Sequence, residues 1–116
     1  MGISYEGIGE WCATFGCGKV KEGDVVKVSA NGSADVCGAG DSFCGVVCAI
    51  ARDGKACSVQ LGGIATVNYS GENAPIPGYG KLSADAAGGV SVDASKGREY
   101  LILAADSAAK TVTIKL

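Results

Sequence analysis

Hydrophobic positions are densest between Phe43 and Ala51, where FCGVVCAIA is an almost unbroken apolar run. Asp53-Gly54 interrupts it, and beyond the break Cys57, Val59 and Leu61 alternate with Ala56, Ser58 and Gln60. Alternation with a period of two marks a strand with one buried face, and Asp-Gly between two such runs marks a tight hairpin. An apolar run of this length is also compatible with a buried helix. Gly45, the valines Val46 and Val47 and the turn chemistry favour the strand, and this hairpin is taken as the centre of the fold.

The same two signals, short alternating runs and turn residues, recur along the chain. Glu10–Phe15 predicts a first strand with Trp11, Ala13 and Phe15 on one face. Asp24–Ala30 predicts a second, with Val26 and Val28 inward and Lys27 outward. Asn31-Gly32 is a further hairpin turn, and Ala34–Cys37 a short return strand. After Gly62-Gly63, Ile64–Tyr69 alternates again. Ser70–Gly80 holds both prolines, Pro75 and Pro77, and reads as the longest loop and as a mobile or contact-making segment. Val90–Asp93, Tyr100–Ala105 and Thr111–Leu116 are the closing strands, with Val112, Ile114 and Leu116 inward. Ala104–Ala109 has the composition for one helical turn. The pattern predicts an all-β fold: a small single-domain β-barrel or β-sandwich of about eight to ten short strands with little or no helix. No internal repeat and no dividing linker is visible, so residues 10–116 read as one β domain. Residues 1–9 (MGISYEGIG) read either as a frayed terminus or as a flexible arm that orders on a partner.

Composition narrows this picture. The chain has 116 residues with 19 glycines and only two prolines, which suits short strands joined by tight turns. Large aromatics are few, so the core must be built from Val, Ile, Leu, Ala and Cys, and a thin core gains from oligomerisation. The net charge is −2 and the ten basic residues are scattered. No phosphate-binding stripe forms, so nucleic acid is not an expected partner. No apolar run reaches the roughly 18 residues of a membrane span. The N-terminal residues lack the pattern of a secretory signal, and Glu6 stands where a myristoylation motif wants Ser or Thr. The cytosol, or a particle assembled there, is the expected address.

Six cysteines, Cys12, Cys17, Cys37, Cys44, Cys48 and Cys57, are present without a single histidine. There is no Cys-x-x-Cys pair, so neither zinc nor any other cofactor is indicated by spacing. Buried thiols are the expected state, and Cys44 and Cys48 would share one strand face as small hydrophobes; disulfides and metal ligation remain the other two readings. The lack of histidine removes Ser-His and Cys-His nucleophile pairs. Gly18-Lys19 ends like a P-loop, but Val20 follows it and Ala13 replaces the earlier glycine. Gly38-Ala39-Gly40 starts like a dinucleotide fingerprint, but Phe43 replaces the third glycine. The pairs Asp85/Asp93 and Asp35/Asp41 flank turns and read as caps of backbone N–H groups rather than as acid–base pairs. No catalytic residue is expected, and an enzyme is not the favoured reading.

From Val20 onward the chain resembles the small head-decoration, or capsid cement, proteins of tailed bacteriophages and prophages. The resemblance rests on Val20–Val28 (VKEGDVVKV), Gly45-Val46-Val47 with Arg52-Asp-Gly-Lys55, Asp85-Ala-Ala-Gly-Gly-Val, Val92-Asp93, Tyr100-Leu-Ile-Leu-Ala up to Asp106, and the terminal TVTIKL. It implies a virion structural protein made in the bacterial cytoplasm and bound to the capsid exterior, without catalysis. Its partner would be the major capsid protein, and copies would assemble as a homotrimer at three-fold positions. The cysteines are not part of the family pattern. Contacts would fall on the N-terminal arm (Ile3, Tyr5, Ile8, Trp11) and on the proline loop (Pro75, Pro77, Tyr79). Two other classes compete. One is a different β binding module, for carbohydrate, a cell surface or a phage tail, with Trp11, Tyr69 and Tyr79 as platforms. The other is a small cysteine metal-binding protein or enzyme.

Overall fold

The computed structural model describes residues 11–116, and these contain ten strands and no helix. In chain order they are β1 (Trp11–Cys17), β2 (Val25–Ala30), β3 (Ser33–Val36), β4 (Gly45–Ile50) and β5 (Ala56–Gly62), then β6 (Ile64–Ser70), β7 (Gly78–Ala84), β8 (Val90–Val92), β9 (Arg98–Asp106) and β10 (Thr111–Lys115). Strands β1–β5 close into one barrel in the order β1-β3-β2-β4-β5, and β6–β10 close into a second in the order β10-β6-β8-β7-β9. The all-β expectation therefore holds in the form of two barrels. The N-terminal arm, with Ile3, Tyr5 and Ile8, lies outside the described residues.

The two barrels share one connectivity. The first strand of each pairs in parallel with the third (β1 with β3, β6 with β8) and antiparallel with the fifth. The second strand pairs antiparallel with the third and the fourth, and the fourth with the fifth. The chain thus carries a structural repeat that its sequence hides. One short echo survives: Lys27-Val-Ser-Ala30 and Lys81-Leu-Ser-Ala84 occupy β2 and β7. In each the serine hydroxyl donates to an aspartate beyond the turn, Ser29 to Asp35 at 2.6 Å and Ser83 to Asp93 at 2.9 Å. Elsewhere the halves share mainly the alternation of apolar and polar positions, and many sequences satisfy such a pattern.

Each barrel is filled by the inward residues of its strands. Val26, Ala34, Val47, Cys57 and Val59 form the first core, with Phe15, Cys17, Ile50 and Leu61 packed against it. The second core holds Val67, Tyr69, Leu82, Val90, Ile102, Val112 and Ile114, and it also takes in Val25, Cys37, Phe43 and Val46 from the first half. The segment between β3 and β4 makes this junction. Phe43 stacks on Tyr100 with centroids 4.7 Å apart and planes 7° off parallel, and the Tyr100 hydroxyl donates to the Phe43 carbonyl at 2.7 Å. Gly40 N–H donates to Ala84 O, and Ala84 N–H to Asp41 O, both at 2.9 Å. At the crossover Gly63 is the single residue between β5 and β6 and has φ +89°, a conformation suited to glycine. The Gln60 side-chain amide straddles it, donating to Gly62 O and Ile64 O at 3.0 Å each.

Most of the expected strands are present, including the β4–β5 hairpin with Val47 opposite Val59. Four expectations change. Val25 and Val26 are both buried, one toward each core, while Val28 is 54% exposed, because β2 lies between the barrels at its start and leaves them at its end. Trp11 is not on the inner face with Phe15: a register shift between Trp11 and Cys12 turns its ring outward. The proline loop is shorter than expected, since Gly78–Gly80 already belongs to β7. Ala104–Asp106 extends β9 instead of forming a helical turn.

Candidate functional site: an apolar groove on the second barrel

The loop of residues 71–77 is fastened at both ends. At its start the Lys110 ammonium donates to the Gly71 carbonyl at 3.0 Å and sits 4.8 Å from the centre of the Tyr69 ring. The Ser70 hydroxyl donates to Asp85 at 2.8 Å. Pro75 is buried and roots the loop on the barrel, and the flanking proline Pro77 fixes the backbone on the other side. Between them Ile76 is pushed out to 78% exposure. Gly78 then takes φ +112° and turns the chain into β7, where Tyr79 is 74% exposed. Gly80 sits beneath Ile102, whose Cδ1 would lie 2.9 Å from any β-carbon added there.

These residues enclose a groove of about 600 Å³ whose apolar wall is Pro75, Ile76, Pro77, Tyr79, Val92 and Ile102, with Glu72 and Lys81 at its polar margin. The structure thus brings together the loop residues expected to make contacts, Pro75, Pro77 and Tyr79. Ile76 and Val92 were missed. Ile76 was legible as an apolar residue held between two prolines. Val92 was not, because nothing in the strand pattern says that β8 ends against open solvent. Trp11 belongs to a separate depression of about 340 Å³ with Leu61, Gly63, Lys115 and Leu116, and the two depressions share no lining residue. Tyr69, one of the three aromatic platforms, is buried in the second core.

The aspartates act as turn caps. Asp85 accepts from Ala87 N–H at 2.8 Å and Gly89 N–H at 3.0 Å. Asp93 accepts from Lys96 N–H, Ser83 Oγ and Ser95, and these bonds hold its carboxyl below the usual carboxylate range. Asp41 accepts from Lys27 Nζ at 2.6 Å and from Gly38 N–H at 2.8 Å; the ammonium lowers its carboxyl, and the carboxylate raises the lysine in return. No group of three or more potential metal ligands occurs among the described residues.

No disulfide joins the six cysteines. Cys37 and Cys57 are buried, and burial pushes both thiols up to about 11, which keeps them protonated and inert at neutral pH. The expectation that Cys44 and Cys48 share a buried face fails. The irregularity between Val47 and Ala49 falls at Cys48, which is exposed while Cys44 is half-buried. Compared with known proteins, the chain matches no protein-family model, no curated protein sequence and no solved structure.

Proposed function

We propose that this protein is a head-decoration, or cement, protein of a tailed bacteriophage or prophage, binding the outer surface of the assembled capsid and strengthening it without catalysis. The observation that carries the reading is the exposed apolar groove of Pro75, Ile76, Pro77, Tyr79 and Val92 on a molecule built from closed barrels. Closed barrels leave no unpaired strand edge, so copies crowded on a particle do not pair edge to edge. An exposed apolar patch rimmed by charge is the usual form of a protein-binding surface. Each contact is small, and many copies on a repeating lattice multiply its effect. The sequence resemblance adds the partner, the major capsid protein, the trimeric assembly at three-fold positions and the location on the virion exterior.

The test is sedimentation with decoration-free heads assembled from the major capsid protein of the same genome. Saturable co-sedimentation at a fixed number of copies per head is expected. Ile76→Asp with Tyr79→Ser, both exposed and without a role in the cores, should weaken binding at least tenfold, about 1.4 kcal/mol. No saturable binding by the wild-type protein would refute the proposal. A second reading, a carbohydrate-binding module, draws on the exposed rings of Trp11 and Tyr79. Saturable glycan binding that is lost in Tyr79→Ser would favour it.

A further inference from the structure

The register of the first barrel brings together two thiols that lie 36 residues apart in the chain. Cys12 on β1 and Cys48 on β4 are both exposed, and their sulfurs are 3.6 Å apart. Cys48 Sγ also lies 3.3 Å from Ser58 O and 3.5 Å from Ser58 Oγ, on the strand between them. We propose that Cys12 and Cys48 form a surface dithiol site for a soft, thiophilic monovalent cation of the Cu(I) class.

The topology argues for a bridging ion over a disulfide. β1 and β4 are not neighbours; each pairs with β5, which runs between them. Adjacent strands are about 4.8 Å apart. Two spacings around a curved barrel leave the backbones of β1 and β4 on the order of 8–9 Å apart. A disulfide requires α-carbons within about 7 Å and sulfurs at about 2.05 Å. Two side chains reaching toward each other over β5 arrive at contact distance and stop short of a bond. A near-linear S–M–S unit needs sulfurs further apart than 3.6 Å, and a small outward χ1 rotation of either exposed thiol supplies that.

The ligand set selects the ion. Soft thiolates favour Cu(I) and zinc. Structural zinc takes four ligands, and no group of three or more such residues occurs among the described residues. Cu(I) is stable with two sulfur ligands. Binding converts two thiols and one Cu(I) into an S–Cu–S unit of single negative charge and releases two protons, with no change of oxidation state. The site therefore tightens as pH rises.

The test uses the full-length protein, reduced and kept anaerobic, titrated with Cu(I) against a chromophoric Cu(I) chelator. One equivalent per chain should be retained, and native mass spectrometry should show one copper added and two protons lost. Cys12→Ser and Cys48→Ser should each lose this equivalent by at least tenfold in affinity, while Cys44→Ser keeps it. Folding of the variants is checked by their unfolding midpoints. Retention by both serine variants, or no retention by the wild type, would overturn the proposal. A Cys12–Cys48 disulfide formed readily with oxidised glutathione would also overturn it, because the spacing across β5 would then be wrong.

Discussion

At the scale of single residues, the fold depends on places where a side chain cannot be accommodated. Gly45 opens β4, and a β-carbon there would fall on the Gln60 carbonyl oxygen and the Val59 side chain, so the neighbouring strand must move. Gly45→Ala should lower unfolding free energy by about 3 kcal/mol, the upper range for overpacking a closed core, read by urea denaturation. A change under about 1 kcal/mol would mean that the β4–β5 seam yields easily. Asp93 gives a pH signature. Its carboxyl is depressed in the folded state, chiefly by Lys96 N–H and Ser83. Its stabilisation is present above the ordinary carboxylate value of about 3.9 and is lost as pH falls through the depressed folded value. Asp93→Asn should be less stable than wild type at pH 7, and the gap should narrow steadily in urea midpoints taken below about pH 4. A gap that stays constant through the acid range would contradict this. Turn caps of this kind were legible, because Asp beside Gly-rich turns has one ordinary use. The meeting of Cys12 with Cys48 was not, because it depends on which strands flank β5.

At the scale of elements, the hairpin of β4 and β5 was the clearest feature of the sequence; its alternation holds at Cys57 and Val59 and breaks at the end of β5, where Gln60 is buried and Leu61 only half-buried. The segment before it was harder to read. Gly38–Cys44 has no period, yet it joins the barrels through the Phe43–Tyr100 stack and the two hydrogen bonds to Ala84. Phe43→Ala should cost about 3–5 kcal/mol. It should also make the barrels unfold in two separate transitions, because Phe43 is the largest side chain of the first half packed into the second core. Calorimetry decides this, and one undivided transition at a lower temperature would show that the barrels remain coupled without Phe43. Tyr100→Phe is the milder change. It leaves the Phe43 carbonyl without its hydroxyl donor and should cost about 1–3 kcal/mol.

At the scale of the whole molecule, the class of fold was legible from composition and turns, but the division into two like-connected barrels was not. Closure is a property of which strands pair, and pairing across fifty residues leaves no local mark beyond alternation. The groove was half legible: the proline loop announced itself, and its β8 wall at Val92 did not. Two closed barrels, joined by the packing of Val25, Cys37, Phe43 and Val46 into the second core, the hydrogen bonds to Ala84 and a one-residue crossover, make a compact unit without strand edges. Its value to a capsid would lie in resisting rupture. The most direct measurement is therefore the temperature at which DNA-filled, decoration-free heads release their DNA, read by a dye, with and without saturating protein. The release temperature should rise with wild-type protein and stay unchanged with the Ile76→Asp/Tyr79→Ser variant. A head that opens at the same temperature whether or not wild-type protein is bound would contradict a cement role.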